Sequence, residues 1–274
     1  MSDGARGEAS GISSDSAWAR PGAAATIAVI GLVATVIVQI VYPGMRAGIG
    51  LSGWMLVLVD AVVLSLPMVL AVWAAVRVAA ARGFRWAVGL SQWRVTDIVI
   101  GLGVGLVARA LVEVFAPSVR GAGVFSGGAL GGAVDVAAIL VGFAVAVLVS
   151  PVVEEVFFRG VLQRSLADAL RGSDAGSAGP AGPAGVADAA EPPRDLVLDV
   201  IIGVAVIALS TAAFVALHVV PSLVAGLPVS LAVVLGTGAV GVGCGVIVYV
   251  TRRLGGALIA HATFNAIGIG MLLL

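Results

Sequence analysis

The stretch Ser150–Ser165 reads SPVVEEVFFRGVLQRS and follows an apolar run, Val136–Val149. It places two adjacent carboxylates, Glu154 and Glu155, and the guanidinium of Arg159 beside a segment that otherwise suits only lipid or a protein core. A charged side chain at the centre of a membrane helix costs about 2.5 to 3.5 kcal/mol. The three charges must therefore neutralise one another or serve a function.

Helical spacing separates the roles of the two carboxylates. Glu155 and Arg159 are four residues apart, so on a helix they share a face and can form an ion pair. Glu154 points about 100° away from its neighbour and is left free to face a cavity. The alternative is a charge cluster at the membrane boundary, with Arg159 and Arg164 extending their guanidinium groups to the interface.

The composition identifies the chain as an integral membrane protein. Of its 274 residues 60% are hydrophobic and 11% are charged, and the mean hydropathy is +1.15; globular domains average about 25% charged residues. The 15 basic residues are all arginine and balance 15 acidic residues. No basic face exists for nucleic acid, so the expected surroundings are the lipid bilayer.

Apolar segments near the roughly 20 residues that span a bilayer recur along the chain. We predict an all-α, polytopic transmembrane bundle of about seven spans, with a range of six to eight. Residues 1–20 are predicted to be a disordered tail, 21–274 a single transmembrane domain, and 172–193 a flexible Gly/Pro-rich cytoplasmic linker. The predicted spans are Gly22–Tyr42, Trp54–Ala79, Asp97–Phe115, Val134 to Arg159 or beyond, Leu196–Val220, Val229–Val250 and Gly255–Leu274.

The arginines are concentrated in alternate connections between these spans. We call three of them the Arg-rich connections, and together they hold nine of the 15 arginines. Positive-inside counting places these connections and the N-terminus in the cytoplasm. Exclusive use of arginine is typical of a GC-rich bacterial genome, which suggests the bacterial plasma membrane. The nine are Arg77, Arg82, Arg85, Arg94, Arg164, Arg171, Arg194, Arg252 and Arg253.

Other features inside the spans have structural explanations. The segments Gly101–Gly105 and Gly241–Gly245 contain GxxxG spacing, which lets helix backbones approach closely in lipid. Arg109 and Glu113 are four residues apart and are expected to pair. Asp60 has no evident local partner; it could lie at the interface, bond to a neighbouring helix, or belong to a proton path.

The two histidines of the chain both lie in predicted spans. His218 ends the run LSTAAFVALH, four residues after Phe214, and His261 opens HATFN, four residues before Asn265. A single intramembrane histidine is often a helix-to-helix hydrogen-bonding residue. Two histidines, an asparagine and a Glu pair in three late spans instead favour one shared polar site, because polar groups in lipid need partners.

Three motifs carry a resemblance to a known family. EEVFFR at 154–159, FVALH at 214–218 and HATFN at 261–265 resemble, in order, the motifs of the CAAX-protease and bacteriocin-processing family of intramembrane endopeptidases, also called the Abi family. The resemblance covers about Val136–Ile269 and implies a peptidase core over residues 134–270. Its site would be formed by the fourth, fifth and seventh predicted spans and would open to the inner side of the bilayer.

The resemblance implies that Glu154 is the general base and that His218 helps to polarise the attacking water. Peptide hydrolysis needs a base within hydrogen-bonding reach of a water, and donors where negative charge develops. The resemblance further implies that Glu155 and Arg159 hold the site together.

The remaining two motif residues, His261 and Asn265, are implied to stabilise the oxyanion. Zinc is a possible cofactor, since Glu154, His218 and His261 could hold Zn²⁺ with one position open for water. No HExxH string exists in the chain, and we favour a site without a metal or other cofactor.

The resulting prediction is an endopeptidase acting on a membrane protein or peptide. The alternatives are a non-catalytic bacteriocin self-immunity or scaffold membrane protein and a proton-coupled transporter. One conflict remains, because His261 lies near the cytoplasmic start of its span and His218 lies far from the start of its own. A shared site requires a wrong boundary, a kink near Pro151, or a helix that begins outside the bilayer.

Overall fold

A computed structural model describes residues 16–46, 48–116, 135–175 and 196–273. Over these ranges the chain forms eight helices and no strand. The helices are α1 (Pro21–Arg46), α2 (Gly53–Ala79), the short α3 (Phe84–Ala87), α4 (Val95–Phe115), α5 (residues 136–175), α6 (Leu196–Val224), α7 (Leu231–Thr251) and α8 (Gly255–Leu273).

Six of the helices are long and apolar enough to cross a membrane, namely α1, α2, α4, α5, α6 and α7. The predicted all-α, polytopic bundle is therefore confirmed, and the protein is an integral membrane protein. The seventh predicted span is present as the 19-residue helix α8, which is not among the six candidates found in the described residues.

In α1 small side chains face the inside of the bundle and large aliphatic ones face outward. In α1, Ala24, Ala28 and Gly31 are buried, whereas Ile30 and Ile37 are exposed. This pattern is opposite to that of a soluble helix, because lipid is as apolar as a leucine core and close approach of backbones is what stabilises helix pairs.

The long helix α5 lies at the centre of the bundle and contacts α1, α2, α6, α7 and α8. It is not a regular α-helix, because two π-helical segments, Val145–Val149 and Val156–Gln163, interrupt it. Pro151 explains the first one: it has no N–H to donate, and its ring would clash with the carbonyl of Val147, so the preceding turn widens. Every residue from Glu155 to Ser165 is buried.

The two glycine segments pack as their spacing predicts. A Cβ on Gly101 would lie 2.6 Å from the Gly256 carbonyl oxygen, and one on Gly241 would lie 2.6 Å from Thr211 Cγ2. Hence α4 approaches α8 closely at Gly101, and α7 approaches α6 at Gly241. A Cβ on Gly103 would meet no atom within 4 Å.

The other expected intramembrane partners are also found. Arg109 pairs with Glu113 on α4. Asp60 accepts hydrogen bonds from Arg46 at 2.9 Å and from the Tyr42 hydroxyl at 2.8 Å, so it bonds to the neighbouring helix α1.

Two predicted boundaries differ from the structure. Within the predicted disordered tail, residues 1–15 lie outside the described residues, but Trp18 is completely buried and the Ala17 N–H donates to Asp168 on α5. This aromatic anchor fixes residues 16–20 against the bundle. The predicted linker from Gly172 begins later, because α5 continues to Ala175; residues 176–193 lie outside the described part.

The Arg-rich connections meet at one end of the bundle, but not at one depth. Arg171 on α5 pairs with Asp199 at 2.8 Å, so α6 begins level with Arg171. The Leu254 N–H donates to the Gly89 carbonyl, and Arg164 borders Gly89, so α8 begins level with Arg164. Because the two arginines are seven residues apart on α5, α6 begins about 10 Å farther out than α8.

Candidate active site

A buried ion pair forms the base of the site. Arg159 Nε lies 3.3 Å from Glu155 Oε2, and both side chains are completely buried. Arg159 Nη2 also donates to the Gly241 carbonyl of α7 at 3.1 Å, and its guanidinium lies over the rings of Phe214 and Phe158, at 4.8 and 5.7 Å from their centroids. A buried charge is tolerated when it is paired and hydrogen-bonded. The ion pair and the Nη2 bond meet this condition in part, whereas Arg159 Nε, Arg159 Nη1 and Glu155 Oε2 have no hydrogen-bond partner among the described residues.

The same carboxylate orients the first imidazole. His261 Nδ1 lies 2.9 Å from Glu155 Oε1, and a carboxylate paired with arginine can only accept, so Nδ1 carries the proton and donates it. The other ring nitrogen, Nε2, is then an unprotonated acceptor in the neutral ring. Glu155 therefore connects Arg159 to His261 and fixes the tautomer of the ring.

The ring of His218 is also fixed by a hydrogen bond from its Nδ1, in this case to its own helix. Its Nδ1 donates to the carbonyl oxygen of Phe214 at 2.8 Å, and its ring centroid lies 4.4 Å from that of Phe214. The four-residue spacing of FVALH places both groups on one face of α6. As in His261, the unprotonated Nε2 points away from the anchoring bond.

Glu154 lies between the two imidazoles. Its Oε2 is 3.7 Å from His261 Nε2 and 4.0 Å from His218 Nε2, distances too long for direct hydrogen bonds. Glu154 is about 15% exposed and His218 about 31%, whereas His261 is nearly buried. Three acceptor atoms thus surround one point, an arrangement that suits a group with two protons to donate, such as water.

A cavity of about 350 Å³, which we call the site cavity, borders this point. It lies between α1 and α2 on one side and α5 and α6 on the other. It extends from Glu154 and His218 towards Pro221 near the end of α6. Its lining residues are Gln39, Val57, Asp60, Ala61, Leu64, Ser65, Met68, Val145, Ser150, Glu154, Leu217, His218 and Pro221.

Comparison with known families agrees with this arrangement. Residues 136–267 match the family described as type II CAAX prenyl endopeptidase Rce1-like. This segment belongs to the Rce1-like family. The match spans α5 to α8, nearly half of the chain, and contains every residue of the three motifs, so the predicted resemblance is confirmed. A comparison with curated proteins gave no match, and a comparison with solved structures gave none either.

The donor atoms of the Rce1-like segment do not form a metal site as they are arranged. A tetrahedral zinc with ligands at about 2.0 to 2.1 Å needs donors about 3.3 Å apart, whereas Glu154 Oε2 lies 3.7 and 4.0 Å from the two Nε2 atoms. Within the ranges that the structure describes, no group of three or more His, Cys, Asp and Glu side chains could hold a metal ion. We therefore derive no step through zinc.

Asn265, the last motif residue, bonds to the backbone of α5. Its Nδ2 donates to the Ala146 carbonyl of α5 at 2.7 Å. That carbonyl has lost its helical donors, because the Ser150 N–H bonds Val145 instead, and the next backbone nitrogen belongs to Pro151. The amide of α8 thus replaces a hydrogen bond that the widened turn removes.

Sequence reasoning missed two polar residues that support the site. Gln163, four residues after Arg159, donates to the Gly245 carbonyl at 2.9 Å, and Ser210 donates to the Phe158 carbonyl at 3.3 Å. The helical spacing Glu155, Arg159, Gln163 is the signal that could have identified the glutamine, because all three lie on one face of a helix.

Proposed function

We propose that the protein is an intramembrane endopeptidase that hydrolyses a peptide bond with a water activated by Glu154 and His218. The match of residues 136–267 to a protease family supports the class of reaction. The observation that carries the proposal is the convergence of the Glu154 carboxylate and two imidazoles with matching tautomers on one point beside a cavity.

In the first step a water between the three acceptors donates one proton to Glu154 and a hydrogen bond to His218 Nε2. As its oxygen attacks the carbonyl carbon of the scissile bond, the proton moves to Glu154 and a tetrahedral intermediate forms. In the second step the C–N bond breaks and Glu154 transfers this proton to the leaving amine. The carboxylate is thereby regenerated.

The oxyanion of the intermediate needs a hydrogen-bond donor. His261 can supply one from Nε2 only when both ring nitrogens are protonated, since Nδ1 already donates to Glu155. The Glu155 carboxylate would stabilise this imidazolium, as the buried aspartate of a serine protease does for its histidine. The second N–H of the Asn265 amide is another candidate donor to the oxyanion. The alternative role of Asn265 is only to bond the Ala146 carbonyl.

The substrate class that we propose is a membrane-associated protein or peptide, with a site that uses no metal. The contacts of Glu155 and Arg159 leave this pair a supporting role, because both side chains are completely buried and neither reaches the cavity.

The proposal is tested with Glu154→Gln, which keeps the shape of the side chain and removes the base. Proteomic comparison of membranes carrying the wild type or this variant should reveal at least one peptide terminus that depends on Glu154. The matched control is Asp135→Asn, an exposed carboxylate that caps α5 and that asparagine can replace. Identical termini in wild type and Glu154→Gln, with equal protein levels, would contradict the proposal.

A further inference from the structure

We propose that Arg164 and Arg252 form a binding site for a phosphate group at the Arg-rich end of the bundle. The phosphate is that of an anionic phospholipid or of a soluble phosphate compound. Arg164 is ten residues from Glu154 on α5, which is about 15 Å along the helix. The site is therefore separate from the three acceptors, and the inference does not depend on the proposed function.

The guanidinium of Arg164 is buried without a partner. Arg164 is 9% exposed, and its Nη1 is enclosed with no hydrogen-bond acceptor. Within the ranges that the structure describes, the side chain forms neither a hydrogen bond nor an ion pair. A buried cation is costly unless an anion or several acceptors compensate it. Arg164 therefore lacks the anion that its burial requires.

The carboxylate one turn farther along α5 is engaged by other groups. Asp168 accepts hydrogen bonds from the Ser16 hydroxyl at 3.1 Å and from the Ala17 N–H at 3.3 Å. It also lies 3.7 Å from Arg171 Nη1. Asp168 attracts Arg164 but forms its ion pair with Arg171 instead. The attraction that remains for Arg164 is therefore weak.

A second cation without a carboxylate partner in the described residues lies beside Arg164. Arg252 follows α7 and is exposed, and its guanidinium lies over the Tyr249 ring, 5.5 Å from the centroid. A Cβ on Gly89 would lie 2.5 Å from Arg164 Nη1 and 3.1 Å from the Arg252 carbonyl oxygen, so Arg164 reaches the turn that carries Arg252. The two like charges repel each other. A phosphate between them would replace this repulsion with two attractions, and its oxygens accept paired hydrogen bonds from a guanidinium.

The backbone of Arg252 indicates that its side chain is used. Its φ of 58° and ψ of 14° lie in the left-handed region, and it is the only non-glycine residue with a positive φ in the described part of the chain. Glycine is the usual residue in this conformation after a helix, because it has no Cβ to crowd the backbone. An arginine at this position therefore needs a compensating interaction, which a bound phosphate supplies.

The depth of the site suits a phospholipid head group. Arg164 is level with the start of α8, and Trp93, which is 52% exposed, lies next to Gly255 at this start. Exposed tryptophan is typical of the boundary between membrane and water. Positive-inside counting places this end in the cytoplasm, where basic pockets between membrane helices bind anionic head groups.

Thermal unfolding of the full chain in detergent, after removal of bound lipid, tests the site. The probes are dioleoyl phosphatidylglycerol, inorganic phosphate and, as the control, dioleoyl phosphatidylcholine, which has the same acyl chains and no net charge. A probe that binds only the folded protein raises the melting temperature, and the concentration dependence of the rise gives its affinity. A rise with phosphatidylglycerol but not inorganic phosphate identifies a lipid as the source, and a rise with inorganic phosphate identifies a soluble one.

The variant Arg164→Gln distinguishes a binding site from a structural role. It removes the buried charge, so without a probe its melting temperature should equal or exceed that of the wild type. Its affinity for the effective probe should fall by about tenfold or more, because a charge-assisted hydrogen bond is lost. The matched control is Arg20→Gln, which removes one charge from an exposed side chain at the same end of the bundle and should keep the wild-type affinity. Arg252→Gly, which relieves the left-handed backbone, should also lose affinity and tests the site even if Arg164→Gln does not fold.

Three results would overturn the proposal. The first is a melting temperature that neither phosphatidylglycerol nor inorganic phosphate raises. The second is an equal rise with phosphatidylcholine and phosphatidylglycerol. The third is an affinity that Arg164→Gln and Arg252→Gly leave unchanged; if Arg164→Gln then also melts at a lower temperature without a probe, Arg164 has a structural role only.

Discussion

Replacing Asn265 with alanine should destabilise the protein through the carbonyl of Ala146. The amide of Asn265 donates to this oxygen at 2.7 Å, and no backbone N–H can take its place, because the Ser150 N–H bonds Val145 and Pro151 has none. The bond is partly buried and lies in a membrane-spanning helix, where lipid offers no replacement donor. Leaving an acceptor unsatisfied there costs about 1 to 3 kcal/mol. We expect Asn265→Ala to lower the free energy of unfolding by that amount.

The proline provides the internal test of this explanation. In a Pro151→Ala background the chain regains an N–H at position 151, one π-helical step from the Ala146 carbonyl. The second substitution, Asn265→Ala, should then cost less than about 1 kcal/mol, because a backbone donor is available. Pro67→Ala, which changes the proline inside α2, is the matched control and should leave the cost of Asn265→Ala unchanged.

Denaturant-induced unfolding of the four proteins of this double-mutant cycle, in detergent micelles, measures the coupling. An equal cost of Asn265→Ala with and without Pro151 would refute the assignment of Asn265 to the widened turn. If Asn265 acts solely on the oxyanion, Asn265→Ala will leave the free energy of unfolding unchanged in this cycle, while comparison of peptide termini in membranes will show reduced cleavage.

Three further predictions follow from the packing and the donor distances. Arg159→Met should cost about 3 to 5 kcal/mol of unfolding free energy, because it leaves Glu155 buried and charged; the double variant with Glu155→Gln should be more stable than Arg159→Met alone. Gly101→Ala should lower the melting temperature, since its Cβ would lie 2.6 Å from a carbonyl oxygen, whereas Gly103→Ala, which meets open space, should leave it equal or slightly higher. Cleavage should survive dialysis against a strong chelator; loss of activity that Zn²⁺ restores would support the zinc alternative instead.

Much of the architecture could be predicted from the sequence because lipid imposes simple rules on it. Length and hydropathy predicted the all-α bundle, and the four-residue spacings predicted the Glu155–Arg159 pair and the faces of the two histidine motifs. The partner of Asp60 was left open among three possibilities, since a bond to Arg46 joins two helices and depends on packing that no local pattern encodes.

Hydropathy and residue spacing did not predict the π-helical segments of α5. Pro151 indicated a kink, but a second widened turn, Val156–Gln163, has no proline and arises where α5 packs against α1, α2, α6 and α7. Widened turns shift the register of later side chains relative to an ideal helix. Spacing rules therefore predicted which residues meet within α5, but not how Asn265 would contact it.

Depth in the membrane explains why the two histidines share a site although their spans begin so differently. Helix α6 begins near Asp199, about 10 Å farther out than the start of α8 near Leu254. Counted inward at 1.5 Å per residue from the level of Leu254, His261 lies about 10 Å deep, and His218, 19 residues from Asp199, lies about 18 Å deep. Glu154 lies about 15 Å from the same level, between the two, and its Oε2 is 3.7 and 4.0 Å from their ring nitrogens. The sequence left three explanations open. The main one is therefore that α6 begins farther out than α8. The Glu154 carboxylate lies at an intermediate depth and bridges the remaining difference between the two histidines.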